Sequence, residues 1–202
     1  MNIYQIIKLI IAVLTIIIII KLTKEVYFPS KSSKLYLTTK EEERKKALEI
    51  YTKLTPDELI KLEKYELIET VYSRIEYKII DNQNNNSHEL DGLSDKQKTF
   101  YILYWYEIEV NNGGLVQFFL NSSRKYTPYI SDCLKEVNAT EHKKLFDNFI
   151  KKENIDLNNL DKILENEDFL EISSEFFDNK FYEMEPIETK LIEYVINNIS
   201  EF

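Results

Sequence analysis

This chain reads as all-α: a compact multi-helix domain with a single transmembrane helix at its amino-terminal end. Three features carry the assignment. Helix-start signals recur along the chain. The apolar residues between them fall at helical intervals. Only three of the 202 residues are glycine, and two of those are adjacent. No stretch shows the two-residue alternation of a half-buried strand strongly enough to compete with these intervals. No repeat of fixed period is present, and about seven or eight helices are expected in the soluble part.

The first element is Ile3 to Leu22, apolar except for Gln5, Lys8, Thr15 and Lys21, with five consecutive isoleucines at Ile16–Ile20. About 20 such residues at ~1.5 Å rise match a ~30 Å hydrocarbon core. Lys8 and Lys21 stand towards opposite ends, and Tyr4, Tyr27 and Phe28 fall at the two boundaries, where snorkelling cations and aromatic rings are favoured. The following KLTKEVYFPS lacks the small-residue pattern of a cleavage site, which favours an uncleaved anchor over a signal peptide. Residues 1–28 are therefore read as the anchor, and residues 29–39, PSKSSKLYLTT, as a juxtamembrane linker. Lys21, Lys24, Lys31 and Lys34 follow the apolar run, against Lys8 and the α-amino group before it. That bias favours a cytoplasmic carboxy-terminal domain.

Residues 40–202 form the helical domain in this reading. Thr39 with Glu42, Thr55 with Glu58 and Ser94 with Gln97 each have the spacing of a capping box. Pro56 stands where the first helical residue of the second box belongs. Thr127-Pro128 opens a further helix, expected to run to about Asn138, and Pro186 opens the last. Leu59, Leu62, Leu67, Val71, Ile75 and Ile79 recur at helical spacing, as do Leu191, Ile192, Val195, Ile196 and Ile199. The Asn-rich segment Asp81–Asp91 is expected to be a loop. Phe100–Tyr106, FYILYWY, is apolar on every face, which predicts a central buried helix.

That helix leads into EVNNGGLVQFFLNSS, residues 109–123. In a chain so poor in glycine, Gly113 and Gly114 together mark a tight turn that needs φ > 0. Asn111, Asn112, Gly113 and Gly114 are expected to end one helix and start a short second one, Leu115–Asn121, with asparagine as its cap. Leu115, Phe118 and Phe119 would face inward. Gln117 and Asn121, four apart, would share a face. Two readings of Glu107, Asn111, Asn112, Gln117 and Asn121 are open: a buried hydrogen-bond network that fixes the joint, or a ligand or catalytic site.

Read from Glu109 through Asn121, the pattern E-x-x-N-G-G-hydrophobic-x-Q-F-F-x-N resembles the hallmark of the carboxy-terminal domain of the bacterial DNA-mimic protein family, also catalogued as a domain of unknown function. The motif residues are Glu109, Asn111, Asn112, Gly113, Gly114, Gln117, Phe118 and Asn121. The resemblance extends to the tail, where FLEISSEFFDNKFYEME precedes a final helix, and covers about residues 55–202. Leu115 stands where an aromatic residue is usual, and the amino-terminal anchor is not typical of the family. The family takes its name from a member that occupies the DNA-binding surface of a transcription factor. The resemblance therefore implies an all-α fold and acidic mimicry of phosphates.

Charge bears on that implication. Residues 1–35 carry a net +4 and residues 36–202 a net −13. An acidic domain argues against direct binding to nucleic acid and favours a basic protein partner. Residues 153–188 hold twelve carboxylates and two lysines. Glu165, Glu167, Asp168, Glu171, Glu175, Asp178, Glu183 and Glu185 are the candidate contact surface. As one helix this segment would span ~54 Å, or one net charge per ~5 Å. Duplex DNA carries one per ~1.7 Å. Such an array matches one strand's phosphates, and a homodimer would present two.

Other chemistry is sparse. Cys133 is the only cysteine and reads as a small buried apolar residue. His88 and His142 form no metal motif and are expected at the surface. Glu107 and Glu109, two apart on a helix, point to different faces. No cofactor is implied. The leading expectation is a non-enzymatic, membrane-anchored acidic domain that binds a basic protein. The alternatives are an immunity or inhibitor protein that neutralises a toxin, and an enzyme built on Glu107, Asn111, Gln117 and Asn121.

Overall fold

The chain divides into two units, Met1–Ala47 and Leu48–Phe202. A computed structural model describes residues 40, 42–84 and 88–202, without the side chains of residues 82–84 and 164–173. The expected anchor, the linker and the capping box at Thr39 lie outside the described residues. The first unit contributes only the helical residues 40 and 42–47. Among the described residues no helix is long and apolar enough to cross a membrane.

The second unit is all-α among its described residues. A 3₁₀ segment Glu49–Lys53 precedes the short helix α1, Pro56–Leu59. Then come α2, Lys64–Asn84, and the 26-residue α3, Asp95–Leu120. A 3₁₀ turn, Ser122–Tyr126, joins α3 to α4, Thr127–Glu136, and α5 is Thr140–Lys152. A 3₁₀ segment Leu160–Asn166 runs into α6, Glu167–Glu183, followed by α7, Ile187–Asn197, and a last 3₁₀ turn at Ile199–Glu201.

Local chemistry accounts for most of the boundaries. Glu58 accepts the Thr55 N–H at 2.7 Å, closing the capping box with Pro56 in the first turn. The Ser94 hydroxyl accepts the Gln97 N–H at 3.3 Å while the Gln97 side chain accepts the Ser94 N–H at 3.2 Å. Such reciprocal caps satisfy donors that the first helical turn leaves unpaired. Pro128 and Pro186 stand at the starts of α4 and α7, as the sequence indicates. Two boundaries differ from expectation. The segment expected to be a loop from Asp81 is helical through Asn84, because α2 carries its hydrogen-bond ladder one turn into the polar stretch. Helix α4 stops at Glu136, where Asn138 adopts φ +60°.

Helix α3 is the axis of the domain and packs against α2, α4, α6 and α7. Phe100, Leu103, Tyr106, Val110, Leu115, Phe118 and Phe119 are fully buried, while Tyr104 and Trp105 lie half-buried on the side towards α2. Rings meet edge to face around Tyr106, at 5.2 Å from Phe118, 5.7 Å from Phe146 and 5.9 Å from Phe181. That geometry aligns the positive edge of one ring with the negative face of the next. Arg74 on α2 fastens both ends of the unit. Its Nε donates to the Tyr51 carbonyl at 2.8 Å and its Nη1 to the Phe202 carbonyl at 2.7 Å.

Candidate functional site

Helix α3 breaks at the glycine pair. Gly113 has φ −163° and ψ 27°, an extended φ open to any residue. Gly114 has φ +74° and ψ −176°, a region essentially reserved for glycine. The break strands backbone groups, and α6 supplies their partners. Asp178 accepts the Leu115 N–H at 2.8 Å. The Tyr182 hydroxyl donates to the Val110 carbonyl at 2.6 Å and faces the Gly114 N–H. It stands where a continuous helix would join Gly114 to Val110 directly, and an inserted side chain of this kind is a recognised cause of helix kinks. A β-carbon on Gly114 would lie 2.9 Å from Asp178 Cγ. Gly114 therefore supplies both the backbone conformation and the space for the α6 carboxylate.

The short helix after the break is capped by Asp178, 63 residues further along the chain, rather than by a neighbouring asparagine. Asn111, Asn112 and Gly113 are exposed; the two asparagines continue the outer stripe of α3 that runs through Tyr104, Trp105 and Ile108. Leu115, Phe118 and Phe119 face inward as the pattern indicates. Asn121 donates to Glu109 at 2.7 Å, which ties the two halves of α3 together.

The expected five-residue polar network is not assembled. Glu107 is buried elsewhere and accepts the Ile187 N–H at 2.6 Å, at the start of α7. Burial pushes its carboxyl up to about 7, and the backbone hydrogen bonds it accepts from α7 counter only part of that shift. Glu107 and Glu109 do point to different places. Glu107, Asn111, Gln117 and Asn121 consequently do not converge on a common point. Among the described residues no three His, Cys, Asp or Glu side chains group as a metal set.

The acidic candidates separate into different environments. Asp178 is half-buried at the break rather than presented for contact, and burial raises its carboxyl above the ordinary range. Glu175 is exposed. Glu183 is exposed and pairs with Lys180 at 2.6 Å, and Glu185 lies 3.9 Å from Lys190. Phe176 and Tyr182 interleave with these acids and are 67% and 52% exposed. The side chains of Glu165, Glu167, Asp168 and Glu171 lie outside the described residues.

Two other expectations meet the structure here. Cys133 is buried as expected, and burial raises its thiol to about 11. His88 is exposed, but His142 is buried against Phe181 at 5.2 Å, and burial lowers its imidazole below the ordinary value. The roles of Asp178 and Tyr182 were missed in the sequence. Their i, i+4 spacing, with Phe177 and Phe181 on the core side, was the available signal.

Residues 91–198 match the family model described as DMP19-like protein. This span contains the break, α6 and α7, and is narrower than the expected resemblance over about residues 55–202. No curated protein and no solved structure matches the chain.

Proposed function

The chain belongs to the DMP19-like family, a DNA-mimic family, and from that premise we propose that it is a non-enzymatic, protein-binding domain. It presents carboxylates to a basic DNA-binding protein where DNA would present phosphates. The observation that carries this reading is charge. The matched residues 91–198 hold 21 carboxylates against 12 lysines and arginines. Such a surface attracts a cationic partner, speeds encounter and repels nucleic acid. Residues 3–22 hold the domain at a membrane, with the cytoplasmic side favoured by the flanking lysines.

The structure qualifies how phosphates could be imitated. Helix α6 has 17 residues, about 25 Å of rise, and Asp178 is engaged by the backbone of α3. The contact surface must therefore combine carboxylates from several helices, or from two copies in a homodimer. A toxin-neutralising role uses the same acidic surface and differs only in the partner.

The test is capture of partners by the full chain at low salt, followed by elution with duplex DNA. The expected result is recovery of a basic DNA-binding protein that DNA releases and that added salt releases steeply. A partner that remains bound under saturating DNA contradicts mimicry. Recovery of no basic partner contradicts the binding role.

A further inference from the structure

A cleft of about 910 Å³ lies between residues 88–91, the first turns of α3, α4 and Tyr194 of α7. Five of its lining residues are carboxylates and three are lysines. Two of those lysines occupy the same kind of seat. Lys96 Nζ lies 5.2 Å from the centre of the Tyr194 ring and pairs with Glu136. Lys125 Nζ lies 5.0 Å from the centre of the Tyr126 ring and pairs with Glu89. Each seat is thus an aromatic face beside a carboxylate, the combination that binds a cation by ring quadrupole and ion pair together. Phenol groups steady both carboxylates: Tyr194 donates to Glu136 at 3.5 Å and Tyr101 to Glu89 at 3.3 Å.

Tyr126 is 5% exposed and lines the cleft, with its hydroxyl enclosed beside Glu89 and Tyr101.

The lysines hold their seats weakly. Lys96 and Lys125 are 35% and 49% exposed, and Glu136 and Glu89 are 46% and 27% exposed. Exposed pairs of this kind contribute little to stability. Arginine suits the same seats better, being planar, more weakly hydrated and able to stack on a ring while bridging a carboxylate. We propose that this cleft seats arginine side chains of the basic protein partner, which displace Lys96 and Lys125 from Tyr194 and Tyr126. The two lysines are built-in competitors that occupy the cleft until a partner enters. This inference rests on the basic-partner reading above and assigns that reading a location.

The test is titration of the full chain, in nonionic detergent at low salt, with a nona-arginine peptide. Four proteins are compared: the parent chain, Lys96→Gln/Lys125→Gln, the equally charged control Lys144→Gln/Lys151→Gln on α5, and Glu89→Gln/Glu136→Gln. The expected result is that removing the cleft lysines tightens binding about fivefold beyond the α5 control, the scale of one exposed ion pair. Removing the two carboxylates weakens binding about tenfold or more, with unfolding temperatures within a few degrees of the parent. Equal affinity for the cleft-lysine variant and the α5 control overturns the inference and leaves the basic-partner reading standing. Weaker binding by the cleft-lysine variant overturns it as well. If no variant binds the peptide, the cleft assignment fails, and the DNA-elution capture decides the basic-partner reading separately.

Discussion

The carboxylates of the α3 joints and those of the cleft have opposite roles. Glu107, Glu109 and Asp178 each face a fixed donor: a backbone N–H at the start of α7, the Asn121 amide, and a backbone N–H after the glycine pair. Glu89 and Glu136 face lysines that solvent reaches. The first group fixes where helices meet. The second is exchangeable. Acidity in this chain is therefore two properties, and counting carboxylates along the sequence merges them. Substitutions in the first group should alter stability, and substitutions in the second should alter binding.

The sharpest break of that contrast is at Gly114. Gly114→Ala forces a side chain into a glycine-only region and against Asp178. It should cost at least about 3 kcal/mol in denaturant unfolding. A stable Gly114→Ala variant that had lost only partner binding would make the joint a contact surface.

Next comes Glu107, whose effect depends on pH. Its folded-state carboxyl titrates at about 7 against an ordinary 4.5. The folded chain therefore holds a proton that the unfolded chain has released. Stability from this group is fully present below the unfolded value and is lost as pH rises through the folded one. Between pH 4.5 and 7.5 the parent should lose about 3 kcal/mol that Glu107→Gln does not lose. Parallel stability–pH curves for the two proteins would contradict this account of the site.

Asp178→Ala leaves the Leu115 N–H without its acceptor and should cost about 1–3 kcal/mol. Glu175→Gln, on the exposed face of the same helix, should change unfolding by less than about 0.5 kcal/mol. Equal losses would erase the distinction between the two groups of carboxylates. Gly113→Ala should cost less than Asp178→Ala, about 1 kcal/mol. Its φ of −163° is open to alanine, and the added carbon meets Gln117 Cβ at 3.0 Å, so the turn must give by a few tenths of an ångström. The two adjacent glycines are thus far from equivalent, although the sequence presents them as a pair.

What the sequence made legible follows from distance along the chain. The caps at Thr55 and Ser94 could be read because donor and acceptor lie three residues apart. The buried aromatic run could be read because it is apolar on every side. The need for positive φ at the glycine pair could also be read, though not which glycine meets it. The partners of the break could not, since Asp178 lies more than 60 residues away in a segment whose acids resemble a solvated helix face. Asn111 and Asn112 are close to Gln117 in sequence, but they lie on the outer stripe of α3. His142 looked superficial because its flanking residues are charged, yet Phe146 and Phe149 set the buried face of α5 on which it falls.

The Asn-Asn-Gly-Gly motif is the seat of α6, held jointly by Asp178 and Tyr182. A double-mutant cycle with Asp178→Ala and Tyr182→Phe, read by urea unfolding, tests it most directly. Both side chains support one break, so the losses should be non-additive, with a coupling energy of about 0.5–1 kcal/mol. Strict additivity, with each substitution acting as if the other side chain were remote, would contradict the claim.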